Sequence, residues 1–134
     1  MNNRLIAAAG RGQTDTVRAL IREGADIDAT DAAGLTAVLA AVHGRHAGTV
    51  RALIDLGADV NKQDQRRDNP LLHAGAEGLL DMVLLLLEAG ADTRIADKDG
   101  VTPLEHAAKR RYREIGKLLA EAISRAGKPE RRSR

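Results

Sequence analysis

The apolar positions of this chain fall into short helical blocks divided by polar turns. Between Asn69 and Asp92 the pattern is clearest. Leu71, Leu72, Ala74 and Ala76 define a slim first helix, and Gly78 interrupts it. Met82, Val83, Leu85, Leu86 and Leu87 then give a second helix a broad apolar face. Gly90 stands where a helix closes on a residue in the left-handed conformation. A helix pair this small cannot bury its own apolar face, so it must be covered on both sides.

The covers are copies of the same pair. Gly24-Ala-Asp, Gly57-Ala-Asp and Gly90-Ala-Asp are separated by 33 residues, and Asp31, Asp64 and Asp97 keep the same step. In register between them run Val17-Arg-Ala-Leu-Ile, Val50-Arg-Ala-Leu-Ile and Val83-Leu-Leu-Leu-Leu. The period divides the chain into four units of about 1–30, 31–63, 64–96 and 97–127, followed by a basic tail, 128–134, expected to be disordered.

Unit one is partial. Leu5 to Ala9 is read as its first helix and Thr14 to Glu23 as its second, with Asn2, Asn3 and Arg4 as a polar end cap. Unit two opens at Asp31-Ala-Ala-Gly-Leu-Thr, where Gly34 supplies the turn and Thr36 caps the next helix. That helix ends around His43 to His46, and Thr49 to Leu56 follows as the second. Unit three carries Arg67 at the turn where its neighbours have Gly34 and Gly100, and Asn69 replaces the threonine. A turn that wants positive φ costs a residue with a side chain on the order of 1–2 kcal/mol. Unit four has Gly100-Val-Thr-Pro-Leu, then Lys109-Arg-Arg-Tyr-Arg in place of a glycine turn, and a last helix built on Ile115, Leu118, Leu119 and Ile123.

The stretch Asp97-Lys-Asp-Gly-Val-Thr-Pro-Leu-Glu-His-Ala-Ala, together with the 33-residue Gly-Ala-Asp step, resembles the ankyrin repeat. The likeness spans roughly residues 3–126. The variant run Asp68-Asn-Pro-Leu-Leu-His-Ala-Gly-Ala-Glu-Gly is similar to one seen in small stand-alone bacterial ankyrin proteins. The resemblance implies an all-α solenoid of four helix-turn-helix units over residues 1–127, with short β-hairpin or turn fingers projecting to one side. It also implies a protein-binding scaffold without catalysis. In that family contacts come from the finger tips and the exposed side of the first helices. Carried onto this chain, those positions are Arg11, Ala32, Ala33, Leu35, His43, Gln65, Arg66, Asp68, Glu77, Lys98, Asp99, Val101, Lys109 and Arg110.

Composition narrows the chemistry. With no Phe, no Trp and only Tyr112, the core must be filled by aliphatic residues and Ala, which suits closely packed helices. The absence of Cys excludes disulfides, thiolate metal sites and a cysteine nucleophile. No apolar run is long enough for a secretory signal or a membrane span, and a monomeric, cytoplasmic protein is expected. Residues 1–108 hold 11 Lys/Arg against 16 Asp/Glu, whereas residues 109–134 hold 10 against 3. The body is acidic and its end basic, so an alternative role is a nucleic-acid or phosphate-binding accessory acting through Lys109, Arg110, Arg111, Arg113 and Lys117. One tyrosine offers little base stacking, and nucleic acid is not the expected partner.

The histidines are the remaining candidates for chemistry. His43 and His46 lie three apart with no third ligand of matching spacing, so no metal is expected there. His73 and His106 occupy equivalent places in adjacent units and read as partly buried side chains between repeats. The glycines match no phosphate-binding pattern. No cofactor or catalytic residue is expected.

Overall fold

The computed structural model describes residues 1–127. The tail expected at 128–134 lies outside the described residues. Among the described residues eight helices run in the order α1 (Asn2–Gly10), α2 (Thr14–Arg22), α3 (Ala37–His43), α4 (Ala47–Asp55), α5 (Pro70–Glu77), α6 (Leu80–Glu88), α7 (Pro103–Lys109) and α8 (Arg113–Gly127). They form four helix pairs. α1, α3, α5 and α7 pack in one row, and α2, α4, α6 and α8 in a second.

Burial follows from that stacking. Between α1 and α5, helix α3 has every residue from Ala37 to Val42 buried. Its small side chains let both neighbours approach. In α5, Leu71, Leu72 and Ala74 are buried, and a Cβ on Gly75 would come within 3.3 Å of the Pro103 carbonyl oxygen of α7. The second row contributes Val17, Leu20, Val50, Leu53, Met82, Val83, Leu86, Ile115 and Leu119. Met82, Val83 and Leu86 are the buried part of the broad α6 face; Leu85 and Leu87 are half-buried and Leu84 is exposed.

Local chemistry sets the helix boundaries. Thr36, Asn69 and Thr102 each accept a hydrogen bond from an N–H of the first turn, from Leu39, Leu72 and Glu105 respectively. Thr102 and Glu105 complete a capping box, and Pro70 and Pro103 occupy a first-turn position that needs no N–H. Three boundaries differ from the sequence reading. α1 begins at Asn2, so its polar residues form a real helical turn on a wet end. α2 stops at Arg22. α4 starts at Ala47, two residues before Thr49, and ends at Asp55.

The fingers are turns; no strand occurs among the described residues. Asp31, Asp64 and Asp97 organise them identically. Each donates its own N–H four residues ahead, to Leu35, Asp68 and Val101. Each carboxylate accepts two backbone N–H groups, from Ala33 and Leu35, Arg66 and Asp68, and Asp99 and Val101. A second aspartate row bonds within its own loop two residues on, and adjacent units are tied by Asp59 N–H to Asp28 and Asp92 N–H to Asn61, both 2.8 Å.

Arg67 adopts φ 61°, in the left-handed region expected from Gly34 and Gly100. The turn between paired helices shows the same substitution, because Gly12 (72°), Arg45 (63°), Gly78 (73°) and Arg111 (62°) share one position of the repeat. At Gly12 and Gly78 a side chain is excluded by the next unit. A Cβ on Gly12 would meet His46 Nδ1 at 2.5 Å, and one on Gly78 would meet the Tyr112 ring at 3.0 Å. His46 also bonds to the Gly10 carbonyl through Nε2, 3.1 Å away. An aromatic ring thus covers a bare backbone at the junctions of units one with two and three with four. At the junction of units two and three, Arg45 replaces the glycine and Leu79 stands in the ring's place.

Two measurements follow. Arg67→Gly should stabilise the chain, relieving ~1–2 kcal/mol of left-handed strain against ~0.5–1 kcal/mol of added chain entropy, whereas Gly12→Ala should destabilise it. Thermal melts of the two variants should therefore move in opposite directions. Amide exchange should be slowest at Leu53–Ile54 and Leu84–Leu87 and faster towards Leu5 and Ile123, since end units have one neighbour each. Uniform protection would contradict this.

Candidate functional site

The first row of helices and the fingers enclose a groove of about 820 Å³. One wall is α1, through Asn3, Ile6, Ala7 and Gly10. The other is the finger of unit two, Asp31 to Ala33 with Leu35, and the floor includes Ala40, His43 and Gly44 of α3. Ala32, Ala33, Leu35 and His43 were legible in the sequence as candidates. The α1 wall was not. Its buried residues read as core, and nothing in their spacing shows that Ile6 and Ala7 also border a cleft.

Leu35 is half-buried and packed on the core, so it serves the fold as well as the groove. Val101, its counterpart in unit four, is also half-buried. Ala32, Ala33, Gln65, Arg66, Lys98 and Asp99 are exposed on the fingers. Gln65 is partly committed within the molecule: its N–H reaches the Ala33 carbonyl at 3.0 Å and its side-chain amide the Ala32 carbonyl at 2.7 Å. It locks two fingers together. Arg11, Glu77, Lys109 and Arg110 are exposed at the C-terminal ends of α1, α5 and α7, with Lys109 and Arg110 adjacent at the end of α7. Glu77 pairs with Arg45 at 3.3 Å, an exposed contact of little energetic weight.

His73 and His106 are half-buried, as the sequence suggests. His43 and His46 do not act together, again as expected, and His46 turns back onto unit one. His43 instead meets Asp68 and His73 of unit three. His43 Nε2 is 3.2 Å and His73 Nδ1 3.5 Å from the same oxygen, Asp68 Oδ2. The two rings lie 4.3 Å apart, tilted by 58°. His106 faces its own finger, with Nε2 at 2.8 Å from Asp97 Oδ2 and Nδ1 at 3.1 Å from an Arg110 nitrogen. Burial alone would raise the Asp68 carboxyl pKa, but hydrogen bonding and charge from His43 and His73 outweigh it and hold the group at about 2. The Val101 N–H, opposed in part by desolvation and helped by His106, lowers Asp97.

Lys109, Arg110, Arg111, Arg113 and Lys117 are exposed around α7 and the start of α8. Among the described residues no helix is long and apolar enough to cross a membrane.

A family model described as ankyrin repeats in three copies matches residues 5–97 and 56–129. The chain belongs to the ankyrin repeat family, whose repeats are generally protein–protein interaction modules and typically non-catalytic. No curated protein matches the chain in a sequence search.

The depressed Asp68 pKa carries a sign. The folded state holds this carboxyl below its unfolded value of 3.8, so the contribution is complete above about pH 4 and lost as pH falls towards 2. The Asp68 carboxyl should titrate near pH 2 by NMR, and Asp68→Asn should flatten that part of the acid unfolding curve. A midpoint near 4 would contradict the geometry.

Proposed function

We propose that this chain is a non-catalytic scaffold that holds a protein partner along the groove and the finger tips, acting as a cytoplasmic monomer. The observation that carries the reading is the groove between α1 and the finger of unit two, with Ile6, Ala7, Leu35 and Ala40 on its surface. It is a cleft for apolar side chains flanked by charged tips. Arg66 and Arg67 stand exposed on the adjacent finger, and Lys98 and Asp99 on the next. The chain has one Tyr and no Trp, the residue types that anchor most interfaces, so the partner supplies the anchor. The fitting partner segment presents an aromatic or branched apolar side chain to the groove and carboxylates to Arg66.

Affinity capture from the native cell with wild-type bait identifies the partner, and variants decide the site. Ala7→Glu places a charge on an exposed helical position of the groove wall, and Arg66→Glu reverses a finger tip. Each should weaken binding by more than about tenfold while leaving the melt unchanged. Lys109→Glu should bind as wild type. Loss in Lys109→Glu with full binding by the other two would place the contact on the basic end of α7 and α8 and overturn the groove reading.

A further inference from the structure

In the cluster of His43, Asp68 and His73, the first two residues depart from the repeat. The counterparts of His43 in the other units are Gly10, Ala76 and Lys109. Those of Asp68 are Leu35 and Val101, both half-buried and apolar. His73 has Ala40 one unit before it and His106 one unit after it. The three residues come from two different units, yet they converge on one point.

We infer that His43, Asp68 and His73 form a binding site for a divalent transition-metal ion of the zinc class. Each residue offers one ligand atom, and the three atoms lie within 4.8 Å of one another. The His43 Nε2 and His73 Nδ1 distances to Asp68 Oδ2 are 3.2 and 3.5 Å. With metal–ligand bonds of ~2.0–2.1 Å, the edge of a tetrahedron is ~3.3 Å. The two histidine–Asp68 distances match that edge, and the two imidazole nitrogens, within 4.8 Å of each other, have to settle at the same edge when an ion binds. Two imidazoles and one carboxylate are a donor set for zinc, cobalt or nickel rather than for calcium or magnesium, which take oxygen ligands.

Access and charge fit as well. The side chains of His43, Asp68 and His73 are 36, 27 and 25% exposed, so an ion can enter and the remaining coordination position is left to water. An aspartate is ionised at neutral pH, so Asp68 brings a negative charge to the ion. The protons now directed at Asp68 have alternative ring nitrogens to occupy, so neutral histidines can release Nε2 of His43 and Nδ1 of His73 to the ion. Unit four supplies an internal comparison. There His106 meets Asp97 at 2.8 Å with Arg110 as its other neighbour, a pair with a cation in place of the second imidazole.

Calorimetric titration of the full chain with Zn²⁺ alone at neutral pH tests the site, with the visible absorption of added Co²⁺ reporting coordination. One ion per chain should bind, with tetrahedral cobalt absorption. His43→Ala and His73→Ala should each weaken binding by more than about tenfold, while His106→Gln binds as wild type. Melts of the ion-free variants check folding. If His73→Ala does not fold, His43→Ala decides alone, because His43 is exposed at the end of α3. Absence of saturable Zn²⁺ binding up to about 0.1 mM, or undiminished binding by His43→Ala, would overturn the site.

Discussion

The stack rests on one constraint: an inner helix of this size has no core of its own. α3 is seven residues long and buries six of them, from Ala37 to Val42, which is possible only with α1 on one side and α5 on the other. Everything else in the fold serves that arrangement. Alanine and glycine keep the inner row close, left-handed residues reverse the chain at fixed intervals, and aspartates fold the fingers without side-chain bulk. The cooperative unit is therefore the contact between neighbours rather than any single helix pair.

The junctions between neighbours are not all alike. Units one and two, and units three and four, are joined by a ring laid over a glycine: His46 on Gly12 and Tyr112 on Gly78. Units two and three have Arg45 and Leu79 at those places. This middle junction shares the apolar packing of α3 on α5 and adds polar contacts, chiefly the Gln65 bridge between fingers and the His43–Asp68–His73 cluster. An ion at that cluster would be shared by two units and would tighten the junction that lacks a ring.

Much of the fold was legible because the repeat writes each structural need three or four times. Gly24, Gly57 and Gly90 announced the ends of the second helices, and Gly34 with Gly100 exposed Arg67 as a residue in a glycine's conformation, as its φ of 61° bears out. The same comparison could have found Arg45, one period after Gly12, but the adjacent Gly44 drew attention to itself. What periodicity cannot reveal is what happens once. The partner of His43 is 25 residues away in the finger of the next unit, and the sequence gives no reason to prefer it over His46 three residues away. The α1 wall of the groove was hidden for a related reason, since Ile6 serves the core and borders the cleft together.

The alternation of ring and glycine also bears on how such a chain could change length. Copying a single unit would set a residue without a ring against a bare glycine, or a ring against an arginine, at one of the new seams. Copying a block of two, beginning with a glycine-bearing unit, reproduces both kinds of seam in order. The sequence counts its repeats singly, but the packing counts them in pairs, and the pair is the smallest module that can be duplicated without altering a joint.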